Sequence, residues 1–246
     1  MPHGYRANQG SYGAHPEASK PSGFLGNAVT DPIYASSATI SYEQILADGY
    51  HVIASTAPDF SGTVHSSATN NAALTRLVVS GLHPNTSYYF RAGALQGAAT
   101  NYADVIPIPQ MTLSTPTTAG QIYESFIGSI TANWRPLPAA PPEVDSMTAS
   151  GYRLEASLSS DFSGAIVSSQ TYALEAATLT VSGLIADSTY YLRVAALNRA
   201  GAPHYQYLGS TMTLVGALLV WDGGGGNNNW YNPTNWNPNG IPSSTK

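Results

Sequence analysis

The sequence predicts an all-β protein made of two tandem β-sandwich domains, with irregular segments at both ends. Its 246 residues are enough for two such domains, which need about 100 residues each. A shift of 102 residues superimposes two long segments without gaps, and in both segments apolar and polar residues alternate between turn signals of Gly, Pro, Asn and Asp. No run of helical period competes with this alternation.

The duplication defines the predicted domains. Turn and core motifs recur together, so each copy is one folding unit, and we predict domains over residues 26–114 and 115–214. Residues 1–25 are predicted to be a flexible arm, and residues 215–246 a segment rich in Trp, Gly and Asn. The matched motifs are Gly-Tyr at 49–50 and 151–152, Asp-Phe-Ser-Gly at 59–62 and 161–164, Val-Ser-Gly-Leu at 79–82 and 181–184, and Tyr-Tyr at 88–89 and 190–191.

The first copy predicts six strands, because its alternating segments are separated by turn signals about every 8 to 12 residues. These strands cover residues 38–42, 50–55, 62–67, 77–79, 88–95 and 105–113. Alternation within the fifth strand places Tyr88 and Phe90 on the side that faces the core. The two Asp-Phe-Ser-Gly motifs are predicted to be turns, in which Asp59 and Asp161 accept hydrogen bonds from their own backbone.

In the segment 82–94, the residues Leu82, Pro84, Thr86 and Tyr88 form a Leu-x-Pro-x-Thr-x-Tyr pattern. This pattern resembles the fibronectin type III signature at the corner before strand F. The resemblance covers roughly residues 30–214 and implies two immunoglobulin-like sandwiches, each with a tyrosine that ties a loop to its strand. The second copy keeps both ends of the pattern and changes its middle, with Leu184, Ala186, Ser188 and Tyr190 at the four positions.

The resemblance also implies an aromatic residue at the centre of each sandwich, on strand B. Trp134 matches this position in the second copy, and Tyr42 occupies it in the first, where its hydroxyl group needs a hydrogen-bond partner. The linker between the domains, residues 114–120, is too short to let them tumble independently. The predicted structural core includes Tyr42, Tyr88, Phe90, Trp134, Tyr190 and Leu192.

The C-terminal segment opens with the longest apolar run of the chain, residues 214–221, which predicts a strand and is too short to cross a bilayer. The Trp, Gly-Gly and Asn-Trp motifs that follow resemble the start of bacterial surface proteins of the autotransporter and adhesin kind. The run either adds to a sheet of a neighbouring molecule or extends the last strand of the second domain, and both remain open. The candidate self-association residues are Leu214, Val215, Ala217, Leu218, Leu219, Val220 and Trp221, and the candidates for glycan contact are Trp230 and Trp236.

No catalytic, cofactor or metal site is predicted. The chain has no Cys, and its six histidines lack the spacing of metal ligands. Asp222 and the asparagines at 227–229 carry oxygens that calcium would accept, but four glycines break the spacing of a calcium loop. Asn85 begins a formal Asn-Thr-Ser glycosylation acceptor. A net charge of −5 with only nine Lys and Arg argues against a nucleic-acid partner.

Together with the resemblance, these features predict a non-enzymatic extracellular protein of a bacterial cell surface with a structural or adhesive role. Charged residues make up 9% of the chain, against about 25% in typical globular domains. The expected partners are further copies of the chain, joined head to tail in a filament, or other surface proteins, with glycan as a further candidate. The alternative is a non-catalytic spacer or carbohydrate-binding accessory region of a secreted polysaccharide-degrading enzyme.

Overall fold

The computed structural model describes residue 25 and residues 28–102, 109–138, 148–216 and 219–242. Regular structure within these residues is almost entirely β, as the sequence predicts. Apart from Leu25, the predicted N-terminal arm lies outside the described residues, and so do Ala217 and Leu218 of the candidate self-association run.

The first sandwich packs a three-stranded sheet against a larger sheet. The smaller sheet contains β1 (Val29–Ile33), β2 (Ser37–Ser41) and β5 (Arg76–Ser80) in the order β1-β2-β5. The larger sheet contains β3 (Gly49–Ser55), β4 (Val64–Thr69), β6 (Ser87–Gln96), β7 (Ala99–Tyr102) and β8 (Gln110–Met111). Its order is β4-β3-β6-β7, and β8 also pairs with β6. The described strand pairings in both sheets are antiparallel.

The second sandwich repeats this topology. Its three-stranded sheet contains β9 (Thr118–Ser125), β10 (Ser129–Arg135) and β13 (Thr178–Ser182) in the order β13-β10-β9. Its four-stranded sheet contains β11 (Gly151–Ser157), β12 (Ile166–Thr171), β14 (Thr189–Leu197) and β15 (Pro203–Met212) in the order β12-β11-β14-β15. Two tandem fibronectin type III-like sandwiches, as predicted, are therefore confirmed.

The last strand of the first sandwich differs from the single strand predicted over residues 105–113. The chain turns back directly after β6, through Gly97 and Ala98, and pairs again as β7. Gly97 has a φ of 58°, which a glycine adopts without a Cβ clash, so the two-residue turn forms here. The short strand β8 then pairs with the beginning of β6, and residues 103–108 between them lie outside the described residues.

Each sandwich encloses its own hydrophobic core. All six residues that the sequence assigns to the core are buried, none of them with more than 5% of its surface exposed. Sequence reasoning missed Tyr50 and Tyr152, which are fully buried at the start of the third strand of each sandwich. The aromatic residue of strand B packs on each of them, with ring centroids 4.5 Å apart for Tyr42 and Tyr50 and 5.1 Å apart for Trp134 and Tyr152. The repeated Gly-Tyr dipeptide was the signal that marked this pair.

Both sandwiches contain the tyrosine corner that the resemblance implies. The backbone N–H of His83 donates to the Tyr88 hydroxyl at 3.0 Å, and that of Ile185 donates to the Tyr190 hydroxyl at the same distance. The corner survives the sequence change in the second copy. Ser188 donates its hydroxyl to the carbonyl two residues before it, as Thr86 does in the first copy, so the loop keeps its internal hydrogen bond.

The hydroxyl group of Tyr42 is the unfavourable feature of the first core. Among the residues that the structure describes, no donor or acceptor lies within hydrogen-bonding distance of it. Burial, with a smaller contribution from Tyr50, raises the pKa of Tyr42 to about 12. A buried polar atom without a hydrogen-bond partner costs free energy, and among the described residues the indole nitrogen of Trp134, at the matching position, is buried without a hydrogen bond as well.

We predict opposite effects when single hydroxyl groups are removed from this core. Tyr42→Phe should raise the free energy of unfolding of the first sandwich by about 1 kcal/mol, because it removes an unpaired polar atom. Tyr88→Phe should lower it by about 1 to 2 kcal/mol, because it leaves the His83 N–H without an acceptor. Hydrogen exchange of the amides in β3 measures the opening of this sandwich, and equal effects of the two substitutions would contradict the prediction.

Candidate functional site

The junction between the two sandwiches is a set of hydrogen bonds that two buried asparagine side chains make with groups of the opposite sandwich. The Asn85 side chain, at the end of the first sandwich, accepts a hydrogen bond from the Arg199 N–H at 2.7 Å and donates to the Ser150 hydroxyl at 3.2 Å. In the opposite direction, the Asn198 side-chain amide donates to the Thr112 carbonyl at 3.0 Å. Both asparagines are 2% exposed, so these contacts are shielded from water.

The linker itself is fixed by the second sandwich. The Ser114 hydroxyl donates to the Ala196 carbonyl at 2.8 Å, and the Ser114 carbonyl lies 2.7 Å from Nδ1 of His204. One residue later, the Thr115 N–H donates to the Thr148 carbonyl at 2.7 Å. The linker therefore begins on one sandwich and is hydrogen-bonded to the other at once, which leaves little freedom for the domains to move separately.

Asn198 shows how local sequence prepares this junction. Its side-chain oxygen accepts hydrogen bonds from the N–H groups of Ala200 and Ala202, at 3.0 and 2.8 Å, and so shapes the loop between β14 and β15. Its side-chain nitrogen is left to reach the first sandwich. The same buried position of Asn85 means that its glycosylation acceptor is enclosed in the junction of the folded chain.

Each sandwich also carries an arginine held between two aromatic rings on the outer face of its larger sheet. The Arg91 guanidinium lies 4.2 Å from the ring centroid of Phe60 and 4.0 Å from that of Tyr102. In the second sandwich, Arg193 lies 4.0 Å from Phe162 and 3.7 Å from Tyr205. Such cation–π contacts fasten the turn before the fourth strand to the sheet.

The Asp-Phe-Ser-Gly turns supply one ring of each pair. The Asp59 carboxylate accepts hydrogen bonds from the Ser61 hydroxyl and N–H, at 2.6 and 3.0 Å, and Asp161 makes the same contacts with Ser163. These bonds lower the pKa of both carboxyl groups. Phe60 sits at a φ of 62° and reaches back over the sheet. The role assigned to the two aspartates in the sequence analysis, turn formation, matches these contacts.

The two faces differ in their charges. In the second sandwich, the Glu155 carboxylate lies 2.7 Å from the Arg193 guanidinium and accepts a hydrogen bond from the Tyr205 hydroxyl at 2.9 Å. Burial, followed by the hydrogen bond to Glu155, raises the pKa of Tyr205. In the first sandwich Ile53 stands at the position of Glu155, and Nδ1 of His51 lies 2.9 Å from the Tyr102 hydroxyl.

The C-terminal unit, residues 219–242, folds around three tryptophans. A two-stranded pairing joins β16 (Val220–Trp221) to β17 (Trp236–Asn237), and a 3-10 turn (Pro233–Asn235) precedes β17. The Trp221 and Trp230 rings are stacked at 6.1 Å and 16°. Trp236 meets both rings edge-on, at 5.1 and 4.4 Å, and its indole N–H donates to the Trp230 carbonyl.

Asn235 is the polar centre of this unit. It is fully buried, its side-chain nitrogen donates to the Asn227 and Asn229 carbonyls at 2.7 and 3.0 Å, and its side-chain oxygen accepts the Gly225 N–H at 2.8 Å. A Cβ atom on Gly225 would lie 2.4 Å from side-chain atoms of Asn232 and Thr234, so a larger residue would displace these side chains. Of the residues considered as calcium ligands, Asp222, Asn227 and Asn229 accept hydrogen bonds from backbone N–H groups in short local turns.

The structure corrects the single strand predicted over residues 214–221. Leu214 remains attached to the second sandwich, since its N–H donates to the Phe126 carbonyl and its own carbonyl accepts the Asp187 N–H. Val215 and Leu219 have no regular structure, and of the run's described residues Val220 and Trp221 are in a strand. The run is divided because its two ends find partners in different parts of the chain.

The two residues predicted to contact glycan, Trp230 and Trp236, differ in their exposure to solvent. Trp230 is 53% exposed, which is compatible with ring stacking on a sugar. Trp236 is 4% exposed and forms the centre of the unit, so its ring offers little surface on which a sugar could stack. Trp221, at 38% exposed, and the neighbouring Tyr231, at 73%, are the aromatic residues that accompany Trp230 at the surface.

The described residues lack the features of two other classes of site. Within residues 28–102, 109–138, 148–216 and 219–242, no three His, Asp or Glu side chains are grouped as metal ligands would be. The described part of the chain also has no helix that is long and apolar enough to span a membrane.

Comparison with known proteins gives likenesses of fold. No protein-family model matches this chain, and no curated protein matches it. Among solved structures, it is similar to a segment of two fibronectin type III domains from chicken tenascin, with 13% identity and a TM-score of 0.42 over 75% of this chain and 98% of that one. It is also similar to the FN1–FN3 domains of chicken CNTN1, with 15% identity and a TM-score of 0.37 over 79% of this chain and 68% of that one.

The fold is that of tandem fibronectin type III domains. This assignment rests on the strand order, the tyrosine corners and the buried aromatic pairs described above, which recur in both halves of the chain.

We predict that His51 makes the first sandwich less stable in mild acid. Burial, and then the nearby Arg91, lower the pKa of this imidazole, so the folded chain favours its neutral form. The resulting stability is present above the unfolded pKa of about 6.5 and is lost as the pH falls through the lower folded pKa. Thermal unfolding of the chain and of His51→Gln between pH 8 and pH 5 checks this, and an unchanged pH dependence in the variant would contradict it.

Proposed function

We propose that this chain is a non-catalytic structural or adhesive protein of a bacterial surface, in which the two sandwiches act as one fixed spacer. The observation that carries the proposal is the buried polar junction around Asn85 and Asn198. A flexible tether needs no such junction, whereas a spacer that holds a terminal element at a set distance depends on it.

Composition supports the same function. Charged residues are 9% of the chain, and its polarity comes from Ser, Thr, Asn and Tyr, which suit a crowded surface layer that interacts through neutral hydrogen-bonding groups. Self-association belongs to the proposal as a further step. Since Val220 and Trp221 form a strand among the described residues of the apolar run, addition to a neighbouring molecule would involve the edge of β16.

We predict that the junction holds the sandwiches in one arrangement and that Asn85 is needed for this. Spin labels on Ser66→Cys and Ser168→Cys are convenient, because both residues are exposed at matching places and the chain has no other Cys. Double electron–electron resonance should give one narrow distance distribution. Asn85→Gly removes both side-chain hydrogen bonds, tolerates the φ of 51°, and should broaden the distribution while lowering the free energy of unfolding by about 1 to 3 kcal/mol.

The matched control is Asp187→Gly. Asp187 occupies the equivalent corner of the second sandwich, with a φ of 52°, and it lies outside the junction. This variant should keep the narrow distribution. A broad distribution in the parent chain, or equal broadening in both variants, would contradict the spacer proposal.

A second candidate function is glycan binding by the C-terminal unit, in keeping with an accessory region of a polysaccharide-degrading enzyme. The exposed, stacked Trp221 and Trp230 and the neighbouring Tyr231 favour it. We predict that a soluble polysaccharide that binds there will change the tryptophan fluorescence, and that Trp230→Ala will abolish the change. Tyr172→Ala, at an exposed aromatic of the second sandwich, is the control, and titration with xylan, β-glucan and chitin oligomers is the measurement.

A further inference from the structure

An exposed apolar surface lies at the end of the second sandwich where the chain leaves it. We call this surface the distal end. Its residues are brought together by hydrogen bonds to backbone carbonyls, since the Leu214 N–H donates to Phe126 and the Thr213 hydroxyl donates to Ile185. The residues and their exposed fractions are Phe126 at 42%, Ile127 at 51%, Ile185 at 61%, Leu214 at 53% and Val215 at 66%.

The first sandwich shows what this end of the fold does. Its corresponding surface is the one that receives the second sandwich through Asn85, Thr112 and Ser114. The correspondence follows from the backbone, because Leu113 pairs with the Tyr34 carbonyl as Leu214 pairs with that of Phe126. In the first sandwich, therefore, this end is the surface on which the following unit of the chain packs.

The two ends differ in their chemistry. The residues Ala35, His83 and Ser114 of the first sandwich are replaced at the distal end by Ile127, Ile185 and Val215. All three changes increase the apolar surface, and the three isoleucine and valine side chains are exposed by half or more. A contiguous exposed apolar surface of this kind marks a place of contact.

The chain itself limits what can reach this surface. Leu214 is fixed to the second sandwich, and the C-terminal unit begins at Leu219, so the unit stays within about 20 Å of the distal end even with the connection fully extended. A tether this short gives the unit a very high effective concentration there. The unit also presents an apolar face, because Trp221 and Trp230 are in ring contact and partly exposed.

We propose that the Trp221 and Trp230 face of the C-terminal unit docks on the distal end of the second sandwich in the same chain. A second copy of the chain fits less well. If its first sandwich repeated the known junction, Asp187 at the position of Asn85 would face Asp48 at the position of Ser150, and the two carboxylates would repel each other. Docking covers the exposed tryptophans, so it competes with glycan binding at the same rings.

Spin labels on Ser168→Cys and Asn239→Cys test the proposal in the full chain, since both residues are exposed and lie outside the proposed contact. Docking predicts one narrow distance peak. The triple variant Ile127→Ala, Ile185→His and Val215→Ser gives the distal end the residues of the first sandwich, which folds with them. In this variant the narrow distance peak should be lost. Tyr172→Ser, an exposed aromatic beside Gly151 at the opposite end, should keep it.

Three results would overturn the proposal. A broad distribution in the parent chain would show that the unit does not dock. A narrow peak retained in the triple variant would place the unit elsewhere. Sedimentation showing dimers of the parent chain that the triple variant abolishes would assign the surface to a second copy. Circular dichroism of the triple variant verifies that the second sandwich is folded, so that loss of the peak reports on docking.

Discussion

The hydrogen bonds of one buried side chain, that of Asn85, determine how the two sandwiches meet. Sandwich ends are built from loops, and loops carry backbone donors and acceptors that cannot be buried without partners. At this junction a side-chain amide supplies both kinds of partner, accepting from Arg199 and donating to Ser150. The linker can then stay short and buried, and the second sandwich begins in a defined place.

Comparison of the two halves separates residues that stabilise each sandwich from residues that depend on where the sandwich lies in the chain. The tyrosine corner and the arginine between two rings recur in both halves with nearly the same distances. The ends of the sandwiches have diverged, from Asn85 and Ser114 to Asp187 and Val215. Interior contacts must satisfy one sandwich, whereas the surface at an end must suit whatever follows it in the chain.

The sequence predicted those features that are encoded locally or by the repeat. The corner follows from Leu82 and Tyr88, six residues apart, and the buried aromatic pair is foreshadowed by a duplicated Gly-Tyr. The junction could not be predicted, because Asn85 contacts Ser150 and Arg199, which lie 65 and 114 positions away in the chain. The corner motif also accounts for Asn85 without any junction. The apolar run after Thr213 was misinterpreted for a similar reason. Its last two residues pair with Trp236 and Asn237 and its first residue is bonded to Phe126 and Asp187, and the run itself reveals none of these partners.

The enclosed position of Asn85 has a consequence for how the protein is made. Its Asn-Thr-Ser acceptor is available to a glycosyltransferase only while the chain is unfolded, since the amide nitrogen is hydrogen-bonded in the finished junction. A sugar attached at that stage would occupy the space of Ser150 and Arg199. Protein secreted from a eukaryotic host would then carry two sandwiches joined by a loose linker, while protein from a bacterial cytoplasm would keep the closed junction. The choice of expression host would therefore determine whether the two sandwiches are held rigidly or move independently.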